Sequence, residues 1–356
     1  MSRSPISVRQ DRQIAESIFV YGGGKLAVET AERLARVADG VIVRGKSGAK
    51  VAHALRQSGS DIDLIFDPAW YEREPSTQLS LIGADNVEIS RQAGLHVAAF
   101  LSPSHFVPDG DQAALEKVLE EGHDFCEAVT RNGHRTPSLI VLPVSKYWLT
   151  DGLDSLASSV ASVSDRIALV CGDRNDPLDS HQAVRGLVHL IDAHPLLSLL
   201  RSDLAALGAM ACGAEAGAIG TGTSVRHFVQ PGLKGGGVPD DKTPSVFVPA
   251  LWTYVKGSKL GQAASDNGLL RCLCSVCGGK SLTRFADERL VSEAHDHSVE
   301  SWYRLGQWML GMPVRKRRNA WRAGCQEAVV AHDELAARSG VLFEAPGQLK
   351  AWADCL

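Results

Sequence analysis

The sequence Ile167-Ala-Leu-Val-Cys171 is a short apolar run, and Gly172-Asp-Arg-Asn-Asp-Pro177 and a helical pattern at residues 182–193 follow it. An apolar strand, a turn rich in Gly, Asp or Pro and an amphipathic helix form one βα unit of a parallel sheet. Eight such runs occur in the first 220 residues, at residues 18–21, 41–44, 62–66, 96–100, 138–142, 167–171, 196–200 and 216–220.

Eight βα units predict an α/β fold, a (β/α)₈ or TIM barrel, in which the loops after the strands form the catalytic face. The alternative is an open doubly wound sheet, which needs a nucleotide-binding turn after its first strand. The pattern changes after residue 220: residues 232–237 contain four glycines and predict a linker or flap. An apolar strand-like run follows at residues 246–255, and residues 299–310 and 319–339 have helical patterns. We therefore predict a barrel at residues 1–231 and, packed on it at residues 232–356, a linker, a zinc-binding segment and C-terminal helices.

The composition is that of an ordinary globular protein, with 356 residues, 44% of them hydrophobic and 22% charged. Its apolar runs are far shorter than a membrane helix requires, and the polar start from Met1 to Arg12 lacks the apolar segment of a signal peptide. We therefore expect a cytoplasmic protein with no membrane partner and, because five of the cysteines are scattered, no disulfides. The net charge of −4 gives the whole molecule no general attraction to nucleic acid.

The stretch Arg271-Cys-Leu-Cys-Ser-Val-Cys-Gly-Gly279 is the most chemically specific part of the chain. Three thiolates and one imidazole form a closed tetrahedral Cys₃His set, which is typical of structural Zn²⁺. The thiolates are those of Cys272, Cys274 and Cys277, and His295 or His297 supplies the imidazole. The alternative is a cysteine-rich turn with free thiols.

Aspartates follow several of the predicted strands, at positions that converge on the mouth of a barrel. Asp67 follows the third strand, Asp173 and Asp176 follow the sixth, and Asp203 follows the seventh. Asp67, Asp173 and Asp203 are the main catalytic candidates. The alternative for Asp67 is a helix cap, and the helical run that begins directly after Asp203 favours a cap there.

Two further segments are candidates for substrate binding. Trp70 and Tyr71 follow Asp67 and have flat faces suited to stacking a heterocycle. The stretch Gly220-Thr-Gly-Thr-Ser-Val-Arg-His227 follows the eighth strand, where barrels often bind phosphate, so Arg226 is a phosphate-binding candidate. The alternative for this stretch is a plain glycine-rich connection.

A basic run lies near the C-terminus and has an aromatic residue, Trp321, among its cations. Five cations occur within eight residues, namely Arg315, Lys316, Arg317, Arg318 and Arg322. This pattern predicts a nucleic-acid-binding surface. The alternatives are a solvated helix face and an interdomain contact.

A barrel followed by CxCxxC and a later histidine resembles the tRNA-guanine transglycosylase family, including its relatives that insert 7-deazaguanine bases into DNA. Residues 64–71, Leu-Ile-Phe-Asp-Pro-Ala-Trp-Tyr, resemble the family segment that ends in Asp-Ser-Gly-Gly-Phe/Tyr-Gln. The resemblance implies a base-pocket role for Asp67 and a base-stacking role for Tyr71. It also implies that the three cysteines and one histidine hold structural zinc. His297 is favoured because Trp302-Tyr303 follows it at about the family's spacing.

The chain departs from this family at the nucleophile. Family members carry an Asp at the end of strand eight, in a run like Phe-Asp-x-x-x-Pro-Thr-Arg, whereas residues 217–223 here are Gly-Ala-Ile-Gly-Thr-Gly-Thr. One prediction is an enzyme that exchanges a base in tRNA or DNA, with Asp173 or Asp203 as nucleophile and Asp67 as general acid and base. The other is a catalytically silent relative that binds nucleic acid or an active partner subunit. The expected partners are thus nucleic acid and a second subunit, identical or different.

Overall fold

Eight parallel strands form one sheet in the computed structural model, which describes residues 14–23, 26–73, 84–233, 241–263 and 268–355. The strand order is β3-β2-β1-β8-β7-β6-β5-β4. In chain order the strands are β1 (Ile18–Gly22), β2 (Val41–Arg44), β3 (Leu64–Asp67), β4 (Phe100–Leu101), β5 (Ser138–Ser145), β6 (Arg166–Gly172), β7 (Leu197–Ser202) and β8 (Gly217–Gly220).

The two ends of this sheet, β3 and β4, lie next to each other, so the sheet forms a nearly closed barrel. The Ala98 N–H donates to the Leu64 carbonyl at 2.7 Å across this gap. Only two residues of β4 pair with β5. The predicted α/β TIM barrel is therefore the fold of this chain, and the open doubly wound alternative is excluded.

Helices surround the barrel, and a helix from the C-terminal part of the chain completes their ring. The helices are α1 (Val28–Val37), α2 (Gly45–Gln57), α3 (Ala84–Gly94), α4 (Gln112–Arg131), α5 (Leu153–Ala161), α6 (His181–Ala193), α7 (Ala205–Ala211), α8 (Gly257–Gly261), α9 (Val291–Leu310), α10 (Val314–Ser339) and α11 (Gly347–Cys355). Helix α9 contacts α1, α7 and β1, so it takes the place of the eighth barrel helix. It comes from the segment at residues 232–356 that the sequence analysis separated from the barrel.

The segment between β8 and α9 is consequently an insertion within the eighth βα unit. It contains the antiparallel hairpin of β9 (Ser245–Val248) and β10 (Thr253–Lys256), the short helix α8 and the three clustered cysteines. These elements share a small hydrophobic core of their own, which includes Val246, Leu260 and Phe285. Helices α10 and α11 then pack along α7 and α6.

The barrel strands are apolar on both faces, because alternate residues point into the barrel and toward the helices. Phe19 and Tyr21 belong to the core inside the barrel, whereas Ile18 and Val20 belong to the core between strands and helices. This two-sided burial explains why each strand is a continuous apolar run in the sequence.

Three sequence predictions fall differently in the structure. The predicted fourth strand at residues 96–100 is a regular strand only at Phe100–Leu101, because the N–H groups of Leu95 and His96 still bond to carbonyls of α3. The apolar run at residues 246–255 is two strands joined by a turn, in which Trp252 has a φ of 48°. Of the predicted glycine-rich linker at residues 232–237, residues 234–237 lie outside the described residues.

None of the helices in the described part of the chain is both long enough and apolar enough to cross a membrane.

The packing of α9 against the barrel requires a residue without a side chain at Gly306. A Cβ atom there would lie 2.3 Å from Ile18 Cδ1 and 3.0 Å from Leu207 Cδ2, and both of these residues are fully buried. We therefore expect Gly306→Val to lower the free energy of unfolding by about 1–3 kcal/mol. Gly94→Val is the matched control, because a Cβ at that helical glycine meets nothing within 4 Å. Urea denaturation of both variants tests this packing, and equal stabilities would contradict it.

Candidate active site and metal centre

A cavity of about 160 Å³ lies at the carboxyl ends of β6, β7 and β8. The charged and titratable residues that line it are Cys171, Asp176, Arg201, Asp203, Arg226 and His227. This end of a barrel is where the loops after the strands converge and where barrel enzymes carry their active sites. The predicted candidates Asp203 and Arg226 therefore meet in one cavity.

Two carboxylates in this cavity share one hydrogen-bond donor from the C-terminal helix. Gln348 Nε2 donates to Asp176 Oδ2 at 3.0 Å and to Asp203 Oδ2 at 3.2 Å. The other oxygens accept backbone N–H groups, from Leu178 for Asp176 and from Ala205 for Asp203, both at 2.9 Å. Leu204, not the predicted Asp203, is the N-cap residue of α7. Asp203 Oδ1 accepts the N–H of the first helical residue, and its Oδ2 shares the Gln348 amide with Asp176.

The two carboxylates have different electrostatic environments. Burial, followed by the nearby negative charge of Asp203, raises the pKa of Asp176 to about 7. A carboxyl group with a pKa near neutrality can donate or accept a proton at physiological pH, which suits a general acid and base. Burial also lowers the pKa of His227, so its neutral form is favoured.

Arg226 also lines the cavity, and its guanidinium is stacked on an aromatic ring from the insertion. Its Cζ is 3.2 Å from the centre of the Tyr254 ring, and its Nε donates to the Gly220 carbonyl at 3.3 Å. Its buried Nη2 has no hydrogen-bond partner in the described residues. A buried guanidinium N–H group without an acceptor can bind an anionic or carbonyl oxygen of a ligand.

Asp67 is at the end of β3 and is only 2% exposed. It accepts hydrogen bonds from the Tyr21 hydroxyl at 2.5 Å, from the Tyr71 hydroxyl at 2.7 Å and from the Ala69 N–H at 2.7 Å. Burial raises the pKa of the Asp67 carboxyl, and the two tyrosine hydrogen bonds oppose this rise. Asp67 is therefore enclosed by protein groups in this structure.

Arg201 on β7 links this network to the cavity. Its guanidinium donates to the Tyr71 hydroxyl at 3.3 Å and to the Ser224 carbonyl at 3.2 Å, and it forms an ion pair with Glu72 at 2.5 Å. Arg201 has a φ of 51°, an uncommon backbone conformation for a residue with a side chain. It is also buried, so the surrounding contacts hold the backbone in that conformation.

The predicted stacking residues are covered. Tyr71 is fully buried, and its ring lies 5.1 Å from that of Phe228. Trp70 is 8% exposed, with the Arg73 guanidinium 4.5 Å from its ring centre. No face of the Tyr71 ring is open to a base in this arrangement, so stacking on it requires Phe228 to move. Asp173 lies in the loop after β6, half-buried, and does not line the cavity.

Gly220, the last residue of β8, has no room for a side chain. A Cβ atom on Gly220 would lie 2.3 Å from the Val225 carbonyl oxygen, because the turn at Thr223–Val225 folds back onto the strand. A side chain at this position would force backbone to move. The glycine therefore follows from the local fold, and the carboxylates of the mouth come from the loop after β6 and the end of β7 instead.

The cysteines of the insertion and one histidine of α9 form a buried cluster that can bind a metal ion. The ligand atoms of Cys272, Cys274, Cys277 and His297 all lie within 4.8 Å of one another. His297 Nδ1 is 3.4 Å from the sulfurs of Cys274 and Cys277, close to the separation of about 3.5 Å that neighbouring ligands of one tetrahedral ion have. His295 is two residues earlier on the same helix and is not part of the cluster.

Neighbouring groups orient the ligands and balance their charge. His297 Nε2 lies 2.8 Å from the Phe247 carbonyl, to which it donates when Nδ1 is the metal ligand. Backbone N–H groups donate to the sulfurs of Cys272 and Cys274 at 3.4 and 3.3 Å, and Arg284 donates to the Cys277 sulfur at 3.6 Å. These donors offset negative charge on the sulfurs and fit the chemistry of a metal site.

The turn after the third cysteine needs its two glycines. Gly278 and Gly279 have φ values of 54° and 87°, in the left-handed region that favours glycine. This turn directs their N–H groups back to the Cys274 and Cys272 carbonyls. The sequence Cys-Gly-Gly therefore folds the thiolates around one point.

The basic run divides into structural and exposed cations. Arg317 is buried, donates to the Leu310 and Met312 carbonyls and pairs with Glu16, whereas Arg318 pairs with Asp192. Arg315 and Lys316 are exposed, and Arg322 is half-buried.

The partners of these arginines place the run at the far end of the barrel from the cavity. Glu16 is two residues before β1, and Asp192 is near the C-terminal end of α6, so both lie where strands begin. A phosphate backbone bound along this run would therefore not lie beside the barrel mouth.

Sequence reasoning missed several residues of the mouth. Tyr21 ends an apolar strand and Arg201 ends another, so each resembles an ordinary strand residue in the sequence. Gln348 and Tyr254 reach the mouth from distant segments, and no local pattern indicates that they do.

No protein-family model matches this chain. No curated protein matches it either. Among solved structures, it is similar to the carboxyl transferase domain of Rhizobium etli pyruvate carboxylase with 3-bromopyruvate, at 11% identity and a TM-score of 0.39. The same domain with pyruvate gives 11% identity and a TM-score of 0.38. Each comparison covers 94% of this chain and 60% of the other, so the chain spans less than two thirds of those proteins. The transglycosylase resemblance stays a prediction.

The cluster of three cysteines and His297 predicts one metal ion per chain. Cys274→Ser should lose the ion and much of the protein's stability, because metal ligation commonly supplies part of the folding free energy. Cys355→Ser is the control, since that cysteine lies outside the cluster. Elemental analysis and thermal denaturation of both variants test this. Metal-free protein from a preparation without chelator would contradict it.

The raised pKa of Asp176 predicts a pH-dependent stability. Because the folded state holds its proton more tightly than the unfolded state, Asp176 destabilises the protein increasingly as pH rises from about 4 to about 7. The free energy of unfolding of Asp176→Asn, relative to that of wild type, should therefore be higher at pH 8 than at pH 4, by roughly 1–4 kcal/mol. Asp151→Asn, at an exposed turn, should show no such change. Urea unfolding at both pH values measures the difference, and a gain that is the same at both would contradict the assignment.

Proposed function

We propose that this protein is a transglycosylase-type enzyme that exchanges a base in tRNA or DNA, and that the reaction takes place in the cavity at the barrel mouth. One observation carries the proposal: Asp176 and Asp203 converge there on Gln348, and one of the two has a pKa near neutrality. Both Oδ2 atoms bond to the same Nε2, so they are no more than about 6 Å apart, a separation compatible with a nucleophile and an acid on one glycosidic bond.

In this mechanism Asp203 is the nucleophile and Asp176 is the general acid and base. An Asp203 oxygen attacks C1′ of the sugar and forms a C–O bond, while the C–N bond to the base breaks. The Asp176 carboxyl gives its proton to the departing base. The incoming base then loses a proton to the Asp176 carboxylate and attacks C1′, which releases Asp203.

The other residues of the mouth have supporting roles in the proposal. The Arg226 guanidinium binds a phosphate or carbonyl oxygen of the substrate through its unpartnered Nη2. Asp67, which the resemblance makes the acid and base, is enclosed by Tyr21 and Tyr71. In this structure it orders the barrel mouth, and it reaches a substrate only if Tyr71 and Phe228 move.

We further propose that the metal ion is Zn²⁺ and that its role is structural. Three cysteine sulfurs and one imidazole nitrogen are the donor set that zinc prefers in structural sites, and four protein ligands leave no position for a substrate. When bound, the ion supplies folding free energy and no step of the reaction. A cytoplasmic location, in which free thiolates stay reduced, belongs to the same proposal.

For nucleic acid, the proposed contact surface is the rim of the mouth. Lys46 on the first turn of α2 and Arg174 in the loop after β6 are exposed on this side. Arg315 and Lys316 are at the other end of the barrel, so we assign them to a separate contact, with a second subunit or a distant part of the polymer.

A specific observation favours the second candidate function, a catalytically silent relative that binds nucleic acid or a partner subunit. The end of β8 is sterically closed to a carboxylate at Gly220, and Asp67 and Tyr71 are buried. These features are expected of a barrel in which packed side chains fill the space of a former substrate pocket.

Base exchange into tRNA and duplex DNA, with labelled guanine and 7-deazaguanine bases, tests the proposal. We expect Asp203→Asn to lose exchange by about 10⁴-fold or more and to trap no covalent intermediate in mass spectra, because Asn is no nucleophile but still accepts the Ala205 N–H. Asp176→Asn should lose about 10²–10⁴-fold through the missing acid.

Asp173→Asn is the matched control, since Asp173 does not line the cavity. Loss of activity in this control with retention in Asp203→Asn would move the nucleophile to Asp173. If wild type exchanges no base in either polymer, and the Asp176 and Asp203 variants bind nucleic acid as wild type does, the second candidate function, that of a catalytically silent binding protein, is supported instead.

A further inference from the structure

The stacking of Arg226 on Tyr254 connects the barrel mouth to the insertion. Arg226 belongs to the loop after β8, whereas Tyr254 belongs to β10 in the hairpin of the insertion. The guanidinium lies against the ring face at 3.2 Å, in the geometry of a cation–π contact. On the barrel side, the Arg226 side chain donates a hydrogen bond to the carbonyl of Gly220, the last residue of β8. The Tyr254 ring is therefore the main surface that orients this side chain.

Tyr254 is itself held from two sides. Its ring lies 5.6 Å from that of Phe247, the residue directly opposite it on β9. Its hydroxyl forms a hydrogen bond with Trp302 of α9, a residue that is 1% exposed. The ring that supports Arg226 thus has little freedom while the hairpin and α9 keep their positions.

Phe247 is in turn fixed by the helix turn that carries the metal ligand. His297 Nε2 bonds to the Phe247 carbonyl at 2.8 Å, and the Phe247 N–H donates to Ser298 Oγ at 3.1 Å. Ser298 Oγ also donates to the Ala294 carbonyl at 2.6 Å, which completes the anchor. Two consecutive residues of α9 therefore hold both polar groups of one hairpin residue, and one of the two is a ligand of the metal cluster.

We propose that Tyr254 is a positioning residue for Arg226, and that the metal centre sets this position through His297 and Phe247. A bound ion fixes the imidazole by Nδ1, the imidazole fixes the Phe247 carbonyl by Nε2, and the hairpin presents Tyr254 to the guanidinium. The coupling runs through contacts between neighbouring residues and requires no change of fold.

The use made of Arg226 at the cavity rests on the proposed function, whereas its positioning by Tyr254 does not. The coupling therefore has to be visible in the protein without any substrate.

Amide hydrogen exchange of metal-loaded protein tests the role of Tyr254. The reporter is the segment at residues 217–228, in which the N–H groups of Thr221, Val225 and Arg226 have backbone acceptors. Tyr254→Leu should keep its metal and speed exchange of this segment by about tenfold or more, because the supporting ring is lost. Tyr254→Phe is the matched variant, since it keeps the ring between Phe247 and Arg226 and loses the hydroxyl bond to Trp302, so it separates the effect of the ring from that of the hydroxyl. The segments of β5 and β6 should exchange as in wild type in both variants.

Removal of the metal by a chelator tests the second half of the proposal. We expect exchange at residues 217–228 to rise together with that of the hairpin, while β5 and β6 stay protected. Unchanged exchange at residues 217–228 in metal-loaded Tyr254→Leu would overturn the role of Tyr254. Unchanged exchange there after metal loss, with the hairpin opened, would overturn the coupling to the metal centre. If wild type and both Tyr254 variants fail to exchange a base, but show the amide hydrogen exchange described above, the proposed function is contradicted and the positioning role of Tyr254 stands.

Discussion

The structure depends on one constraint: α9 has to close the ring of barrel helices and also supply the fourth ligand of the cysteine cluster. Its packing against β1 and α7 is close enough to require glycine at position 306. On the same helix, His297 faces the cluster, where its ring nitrogens meet the sulfurs and the Phe247 carbonyl. The insertion is consequently connected to the barrel at three places: it follows β8, it leads into α9, and its cysteines cluster with His297 of α9.

This arrangement has an effect on the barrel mouth. The loop after β8 and the start of the insertion are neighbours in sequence, and the hairpin folds back so that Tyr254 meets Arg226. From the C-terminal helix α11, Gln348 donates hydrogen bonds to both carboxylates that line this cavity. The mouth is therefore assembled from the barrel, the insertion and the C-terminus, although only barrel loops normally build it.

Two groups of charged residues at this mouth have opposite environments. Asp67 is saturated with hydrogen bonds and covered by tyrosine side chains, which makes it part of the packed structure. Asp176 and Asp203 line a cavity, and burial beside a like charge keeps one of them close to protonation at neutral pH. Groups whose pKa values are shifted by burial and by a specific neighbour, inside a cavity, are more typical of reactive sites than of structural ones.

The sequence alone determined the barrel and the metal ligands, because both are written in local patterns. Strands buried on both faces are continuous apolar runs, and three closely spaced cysteines followed by two glycines are typical of a turn that folds thiolates around one point. The choice of His297 over His295 came from family spacing and is explained by helix geometry. Only the tertiary structure decided the roles of four further residues, because their partners are distant in the sequence. The partners of Asp67, Arg317, Gln348 and Tyr254 are Tyr21, Glu16, Asp176 and Arg226, at separations of 46, 301, 172 and 28 residues. Local sequence patterns do not indicate such distant contacts. The sequence therefore predicted which strand ends form the mouth, but not which side chains contact one another there.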